Sequence, residues 1–187
     1  MRFNPFTIFL SLALAWSSLN AQAPAAKPAF GFGDIGYFHR WSKNDQHEFT
    51  PEKQEDLDKW SDMITINAYP DVHDGERLAE VANAVLGNYT KHQAKIIKTN
   101  SVPRTADRPA EHLIVAIFTQ PSFIEVAFAR LKLVDSAGCS IVYSHRIYGA
   151  KAADRINTWL KGDGANVEKA LMEWKLMPFP VPLSSKL

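Results

Sequence analysis

The segment from Glu111 to Gly149 constrains the fold of this chain more than any other part of it. It contains three apolar, strand-like runs separated by two turn signals, Gln120-Pro121-Ser122 and Asp135-Ser136-Ala137-Gly138. Proline suits the second position of a tight turn, and aspartate at the start with glycine at the end suits a four-residue turn. Short turns join neighbouring strands in antiparallel pairs. The sequence therefore predicts a three-stranded antiparallel meander over residues 111–149.

Helical periodicity appears on both sides of this meander. Between Asp74 and Gln93 the apolar residues recur at steps of three and four, which predicts a long amphipathic helix. The runs Lys151–Leu160 and Ala165–Leu176 show similar spacing and predict a C-terminal helical region. Together with a strand predicted over Asp62–Tyr69, this pattern indicates the α+β class: an antiparallel sheet packed with a long helix and C-terminal helices.

A short surface helix is also predicted over residues 52–60. Thr50 is a favourable N-cap residue, Pro51 suits the first helical position, and Glu52 would lie beside the positive end of the helix dipole. Leu57 and Trp60 would then be its buried residues.

The N-terminus has the pattern of a secretory signal. Arg2 precedes an apolar core over residues 6–16, which is too short to span a bilayer, and small residues follow. We expect cleavage between residues 21 and 25, hence a periplasmic or secreted protein with no transmembrane segment in the mature chain. The predicted organisation is a signal peptide (1–23), a linker and aromatic-rich leader (24–45), one α+β domain (46–177) and a proline-rich tail (178–187).

Composition argues against one class of partner and excludes one kind of cross-link. Lysine and arginine (21) balance aspartate and glutamate (20), whereas a nucleic-acid-binding protein usually carries a basic excess. Cys139 is the only cysteine, so an internal disulfide is impossible. A small buried residue at the start of a strand is the expected role of Cys139, and an intermolecular bridge or a reactive thiol is the alternative.

Two partial motifs lack the context that their chemistry requires. Residues 31–36 match G-x-G-x-x-G, but a linker precedes them and no helix follows, so they do not predict a nucleotide site. His47-Glu48 begins like a zinc-protease helix, but Pro51 stands where the second histidine belongs. No catalytic residue, metal or cofactor is therefore predicted.

Six residues remain as candidates for binding rather than for catalysis: Trp41, His47, Glu48, Tyr69, Arg104 and His145. Each also has an ordinary structural interpretation. His47 and Glu48 would lie at a strand end, Arg104 would be a solvated arginine on a loop, and His145 would pack at the core margin.

The order of elements resembles the PsbP-like fold, named for the extrinsic photosystem protein and found in bacterial exported proteins. The resemblance spans roughly His47 to Trp174 and rests on a strand, a helix, an antiparallel meander and a final helix, together with the stretch from His47 to Tyr69. Known members mostly bind proteins and lack catalytic machinery. The resemblance thus implies a sandwich-like binding protein, without transferring any binding residue.

Three functional hypotheses follow. The leading one is an exported, non-enzymatic binding or accessory protein whose partner is another protein or an envelope component. The second is a carrier of a small apolar ligand, held between the sheet and the helix over 74–93 and lined by Trp41 and Tyr69. The third is a hydrolase that combines the dispersed residues His47, Glu48 and His145, which requires them to meet in one cleft.

Overall fold

The structure, a computed structural model, describes residues 27–175. Its strands are β1 (Phe30–Phe32), β2 (Ile35–Lys43), β3 (Gln46–Pro51), β4 (Asp62–Tyr69), β5 (Lys95–Val102), β6 (Glu111–Thr119), β7 (Phe123–Val134) and β8 (Ala137–Tyr148). Its helices are α1 (Gly75–Lys91), α2 (Ala152–Gly162) and α3 (Gly164–Glu173). The strands form one antiparallel sheet in the order β1-β2-β3-β4-β8-β7-β6-β5, which confirms the predicted α+β class.

The predicted meander forms the centre of one half of this sheet. β6 pairs with β7 and β7 with β8, both antiparallel. The second turn is tight because Asp135 and Ser136 adopt positive φ angles of 48° and 67°, which short polar residues at turns tolerate. β8 then pairs along its length with β4, so the meander is joined to the N-terminal strands at the middle of the sheet.

One face of the sheet, here called the α2–α3 face, carries the larger core. Phe49, Ile64, Tyr143, Phe128 and Val115 occupy one row across five neighbouring strands of this face. They belong to a buried cluster that also includes Ile156 of α2 and Leu171 of α3. Burying one such aliphatic side chain contributes about 1.5–3 kcal/mol. The C-terminal helices are therefore held to the sheet by apolar packing.

The opposite face, here called the α1 face, carries a smaller core. Asp74 caps α1 by accepting a hydrogen bond from the backbone N–H of Arg77 at 2.8 Å. Leu78 and Ala82 of α1 are buried in one cluster with residues of β6 and β7, namely Ile114, Ala129 and Leu131. Because α1 lies over β5, β6 and β7, it borders the N-terminal strands of this face without covering them.

The sheet begins earlier than the predicted domain boundary at residue 46. β1 and β2 fall within the predicted linker and leader, yet Phe30 pairs with Tyr37 and Phe38 pairs with Thr50 of β3. The G-x-G-x-x-G run spans the turn of this hairpin, with Gly33 at φ 57° in the turn itself. Glycine-rich segments have low strand propensity, so only pairing with β3 and burial of the aromatic rings make this segment a strand.

The prediction of a helix over residues 52–60 is wrong, because this segment forms turns. The Thr50 hydroxyl accepts a hydrogen bond from Arg40 Nε at 2.9 Å and donates one to the Gln54 carbonyl, so it does not cap a helix. Lys53 has a φ of 68°, which a helix excludes. The Gln54 side chain accepts hydrogen bonds from the backbone N–H groups of Ser61 and Asp62. Such local bonds outcompete a helix of nine residues, which is marginal by itself.

The predicted signal peptide over 1–23 and the proline-rich tail over 178–187 lie outside the described residues. Within residues 27–175, no helix has the length and apolar character needed to cross a membrane.

Candidate functional site

A groove lies where α1 borders the uncovered part of the α1 face, and we call it the α1 groove. It encloses about 520 Å³. Its sheet wall includes Gln46 of β3, Asn67 of β4 and Ser140 of β8, and its helix wall includes Val81, Ala84 and Val85 of α1. One wall is thus polar and the opposite wall is apolar.

Hydrogen bonds order the polar wall of the groove. The Asn67 amide donates to Ser140 Oγ at 3.0 Å, and the Tyr69 hydroxyl lies 3.4 Å from the same atom. The Gln46 amide donates to Glu48 Oε1 at 2.9 Å. Within residues 27–175, no hydrogen bond uses the Asn67 side-chain oxygen, so an acceptor remains available to a ligand.

Three of the predicted binding residues, Trp41, Glu48 and Tyr69, lie on the α1 face. Tyr69 lines the groove, as does Tyr89 of α1. Trp41 does not line it, but it pairs with Glu48 in a row that runs through Thr65 to Val142, and Val142 lines the groove. Trp41 is 38% exposed, so it offers an aromatic surface on the same face beyond the groove.

His47 and Glu48 do not form a joint site. Adjacent strand residues point to opposite faces, and the His47 ring lies on the α2–α3 face, 5.9 Å from the His39 ring and 6.5 Å from the Phe49 ring. Burial lowers the pKa of His47, and the neighbouring His39 lowers it further, while Asp45 acts in the opposite direction. The described residues contain no group of three or more side chains placed to hold a metal ion.

His145 belongs to a hydrogen-bonded cluster at the junction of β4 and β8. Its Nδ1 lies 2.9 Å from Asp62 Oδ1, which also accepts a hydrogen bond of 2.7 Å from the Tyr143 hydroxyl. The His145 ring stacks on Trp159 of α2 at 4.3 Å between centroids and 12° between planes. Burial acts to raise the pKa of Asp62, but the hydrogen bonds from His145 and Tyr143 outweigh it and lower that pKa. The cluster therefore ties α2 to the sheet through a charged carboxylate.

The structure keeps this cluster apart from His47 and Glu48. His145 pairs with Asp62 and His47 pairs with Ile66, four residues further along β4, a separation of about 13 Å along the strand. An aspartate paired with a histidine can orient that histidine as a general base. Ser61 and Thr158 line the same hollow as His145, but among the described residues neither hydroxyl is hydrogen-bonded to the imidazole. The geometry thus brings no nucleophile to the histidine.

Arg104 lies far from the α1 groove in the connection between β5 and β6. It lines an open hollow at the N-terminal end of α1 together with Arg108 and Asp74. Both arginines are exposed, as expected for a polar loop.

Cys139 is buried, and burial raises the pKa of its thiol to about 12. A protonated, inaccessible thiol is unreactive, which fits the structural role predicted for it.

Prediction from the sequence did not identify the most buried ion pair among the described residues. Arg130 and Glu111 have side chains only 4% and 9% exposed and form an ion pair of 2.7 Å. Arginine and glutamate are rarely buried unless they are paired, so sequence alone favours exposed positions for both. A faint signal existed, because opposite charges stand near facing ends of two adjacent predicted strands. The pairing register that brings them together is set only by the folded sheet.

The fold and the groove define the class to which this chain belongs: an α+β protein with one eight-stranded antiparallel sheet, covered on one face by two C-terminal helices and on the other by a single helix. No protein-family model and no curated protein matches the chain.

Some solved structures match the chain at low TM-score and low identity. The Ran-binding protein Mog1p of Saccharomyces cerevisiae matches with a TM-score of 0.49 and 11% identity over 73% of this chain and 82% of that chain. A Mog1 mutant matches with a TM-score of 0.47 and 11% identity over the same shares. Human STARD10 matches with a TM-score of 0.30 and 8% identity over 74% of each chain. At TM-scores below 0.5, none of these similarities assigns a family or a function.

Proposed function

We propose that this protein is an exported, non-enzymatic binding protein that holds an extended segment of a partner protein in the α1 groove. The unlike walls of the groove support this most directly. An extended peptide combines a backbone that needs hydrogen-bond partners with side chains that seek apolar contacts. The amides of Gln46 and Asn67 suit the backbone, and Val81 and Val85 suit an apolar side chain.

The surroundings of the groove fit a macromolecular ligand. The α1 face continues past the groove over β3 and β2, where Trp41 is 38% exposed. Tryptophan and tyrosine are enriched at protein interfaces because they combine a large apolar surface with a polar atom. A partner that enters the groove would therefore find further contact area beside it.

Export and membership of the PsbP-like fold are parts of the same proposal. The signal-like N-terminus predicts a new N-terminus between residues 21 and 25 in the exporting host. N-terminal sequencing of the mature protein tests this, and recovery of the intact Met1 terminus from the cell interior would contradict it.

Photo-crosslinking tests the groove. Benzoylphenylalanine replaces Asn88, which lines the groove, or Asn157, which is exposed on α2. The expected result is a crosslink from position 88 to one contiguous segment of one partner, and none from position 157. The added substitution Ala84→Arg, which fills the groove, should abolish the crosslink, whereas the matched Ala153→Arg on α2 should not.

A synthetic peptide completes this test. A peptide of the crosslinked segment should bind the wild-type protein and the Ala153→Arg variant, and it should lose at least tenfold in affinity for Ala84→Arg. Equal crosslinking from both positions, or unchanged peptide affinity in Ala84→Arg, would contradict the proposal.

A small amphipathic ligand is the second candidate, favoured by the groove volume of about 520 Å³. Pockets of this size accommodate small molecules. The polar wall argues for a ligand with hydrogen-bonding groups rather than a purely apolar one. Native mass spectrometry of protein purified from the exporting host distinguishes the two, because a carried ligand adds a discrete mass that Ala84→Arg should remove.

A further inference from the structure

A further hollow lies on the α2–α3 face, at the opposite end from His145, and is dominated by positive charge; we call it the cationic cleft. It encloses about 560 Å³ between β7, the connection before β6 and the end of α3. Arg108, Arg130, Lys132 and Lys175 line it, against the carboxylates of Glu111 and Glu173. Cations thus outnumber carboxylates by two.

The floor of the cleft is rigid. Arg130 donates from Nε and Nη2 to Glu111 Oε2 at 2.8 and 2.7 Å. Its Nη1 donates to the carbonyl oxygens of Leu171 and Trp174, which end α3, at 2.7 and 3.1 Å. Arg130 therefore satisfies the C-terminal carbonyls of the helix, and its own charge is compensated.

Lys132 is not compensated in this way. It is half-buried on β7, and within residues 27–175 its ammonium group makes no ion pair. Other shielded cations elsewhere in residues 27–175 have carboxylate partners; Arg146, for example, forms an ion pair with Glu125 at 2.8 Å. Burial lowers the pKa of Lys132, the cations Arg130 and Arg108 lower it further, and Glu111 acts in the opposite direction. A shielded cation next to other cations is unfavourable unless an anion joins it.

We propose that the cationic cleft is a binding site for a small organic anion, whose carboxylate or phosphate group contacts Lys132 and Arg108. Arg108 stands on the exposed loop at the mouth of the cleft, where it can approach a bound oxyanion. Met172 and Trp174 form an apolar wall beside these cations. Trp174 is fixed by packing against Phe30 and Phe32, at 5.2 and 5.1 Å between ring centroids. The ligand therefore carries an oxyanion on a compact apolar body.

Titration of the full chain with two simple anions tests this site. Inorganic phosphate and, separately, acetate are added to isotopically labelled protein at constant ionic strength, and backbone amide shifts are followed by NMR. At least one anion should give saturable shifts confined to the residues around Lys132, Arg108 and Trp174. The anion that binds tells which oxyanion the site prefers.

Matched variants make the result decisive. Lys132→Met retains the length of the side chain without its charge and should weaken binding at least tenfold, whereas Lys161→Met on exposed α2 should leave it unchanged. If Lys132→Met does not fold, Arg108→Gln on the loop replaces it and should also weaken binding. Absence of saturable shifts with both anions, or equal affinity in the wild type and the charge-removing variants, would overturn the proposal.

Discussion

The two faces of the sheet differ in how completely they are covered. On the α2–α3 face, apolar side chains of every strand except the edge strand β5 join both C-terminal helices in one buried cluster. On the α1 face, a single helix covers β5 to β7 and leaves polar side chains of β3 and β4 along its border. The comparison teaches that both helices of one face join it in a single core, while the other face has a packed half under α1 and a half that α1 leaves uncovered.

Charged groups follow the same division. The buried pair of Arg130 and Glu111 joins α3 to the α2–α3 face, and the pair of Asp62 and His145 joins α2 to it. The α1 groove has hydroxyl and amide groups on its wall instead. Fixed ion pairs suit a permanent contact, and neutral polar groups suit a contact that forms and breaks, because they cost less than charged groups to remove from water when a ligand binds.

Breaking the buried ion pair should have the largest effect. Arg130→Met leaves Glu111 buried without its partner, and we expect a loss of about 3–5 kcal/mol in the free energy of unfolding. Denaturant unfolding measures it. The double variant Arg130→Met with Glu111→Leu should recover part of the loss, since no charge remains uncompensated. A loss below about 1 kcal/mol for the single variant would mean that water reaches the carboxylate.

Truncating one buried leucine in each core compares the stability of the two faces directly. Leu171 of α3 and Leu78 of α1 are both fully buried, so truncation to alanine should cost about 2–5 kcal/mol in each case. The covered half of the α1 face is then as firmly packed as the other face. A much smaller loss for Leu78→Ala than for Leu171→Ala, in the same denaturant series, would show that α1 is loosely held.

Acid should destabilise the protein through a partly buried histidine of the α1 face, His112. Burial lowers the pKa of His112 from its ordinary value of 6.5, and its Nε2 is buried without a hydrogen-bond partner while Nδ1 lies 2.9 Å from Ser101 Oγ. Below pH 6.5 the unfolded chain binds this proton more readily than the folded one, so stability is full above that pH and falls as the pH drops below it.

Melting temperatures measured between pH 5 and 7 check this. His112→Gln should reduce the dependence of the melting temperature on pH, whereas Ser101→Ala, which retains the imidazole, should preserve it. An unchanged dependence in His112→Gln would assign the effect to another group, and His47, whose pKa is also lowered, is then the next residue to replace.

The smallest effect on stability is expected in the groove. Ala84 is exposed on α1, and arginine has nearly the helix propensity of alanine, so Ala84→Arg should change the free energy of unfolding by less than about 0.5 kcal/mol. Denaturant unfolding beside the wild type measures it. A loss above about 1 kcal/mol would show that the groove wall belongs to the core, and the crosslinking variant would then need a different position.

Strand positions were the most predictable part of the fold. β4 and β7 have the predicted bounds, Asp62–Tyr69 and Phe123–Val134, because alternation and turn residues are local signals. β1 and β2 were not predicted as strands, since their glycines and polar residues become extended only through pairing with β3. The helix predicted over 52–60 failed for the converse reason: its local signals were favourable, but side-chain hydrogen bonds to the neighbouring strand prevailed.

Of the predicted binding residues, Tyr69 lines the groove, and Trp41 and Glu48 lie on the same face, whereas His47, Arg104 and His145 lie elsewhere. The sequence alone determined the α+β class and the central meander, because both arise from the spacing of apolar residues and turns along the chain. Only the tertiary structure decided which charges are buried together and where a groove remains open. Both depend on strand register and on how far one helix reaches across the sheet, and these are set by contacts between residues distant in sequence.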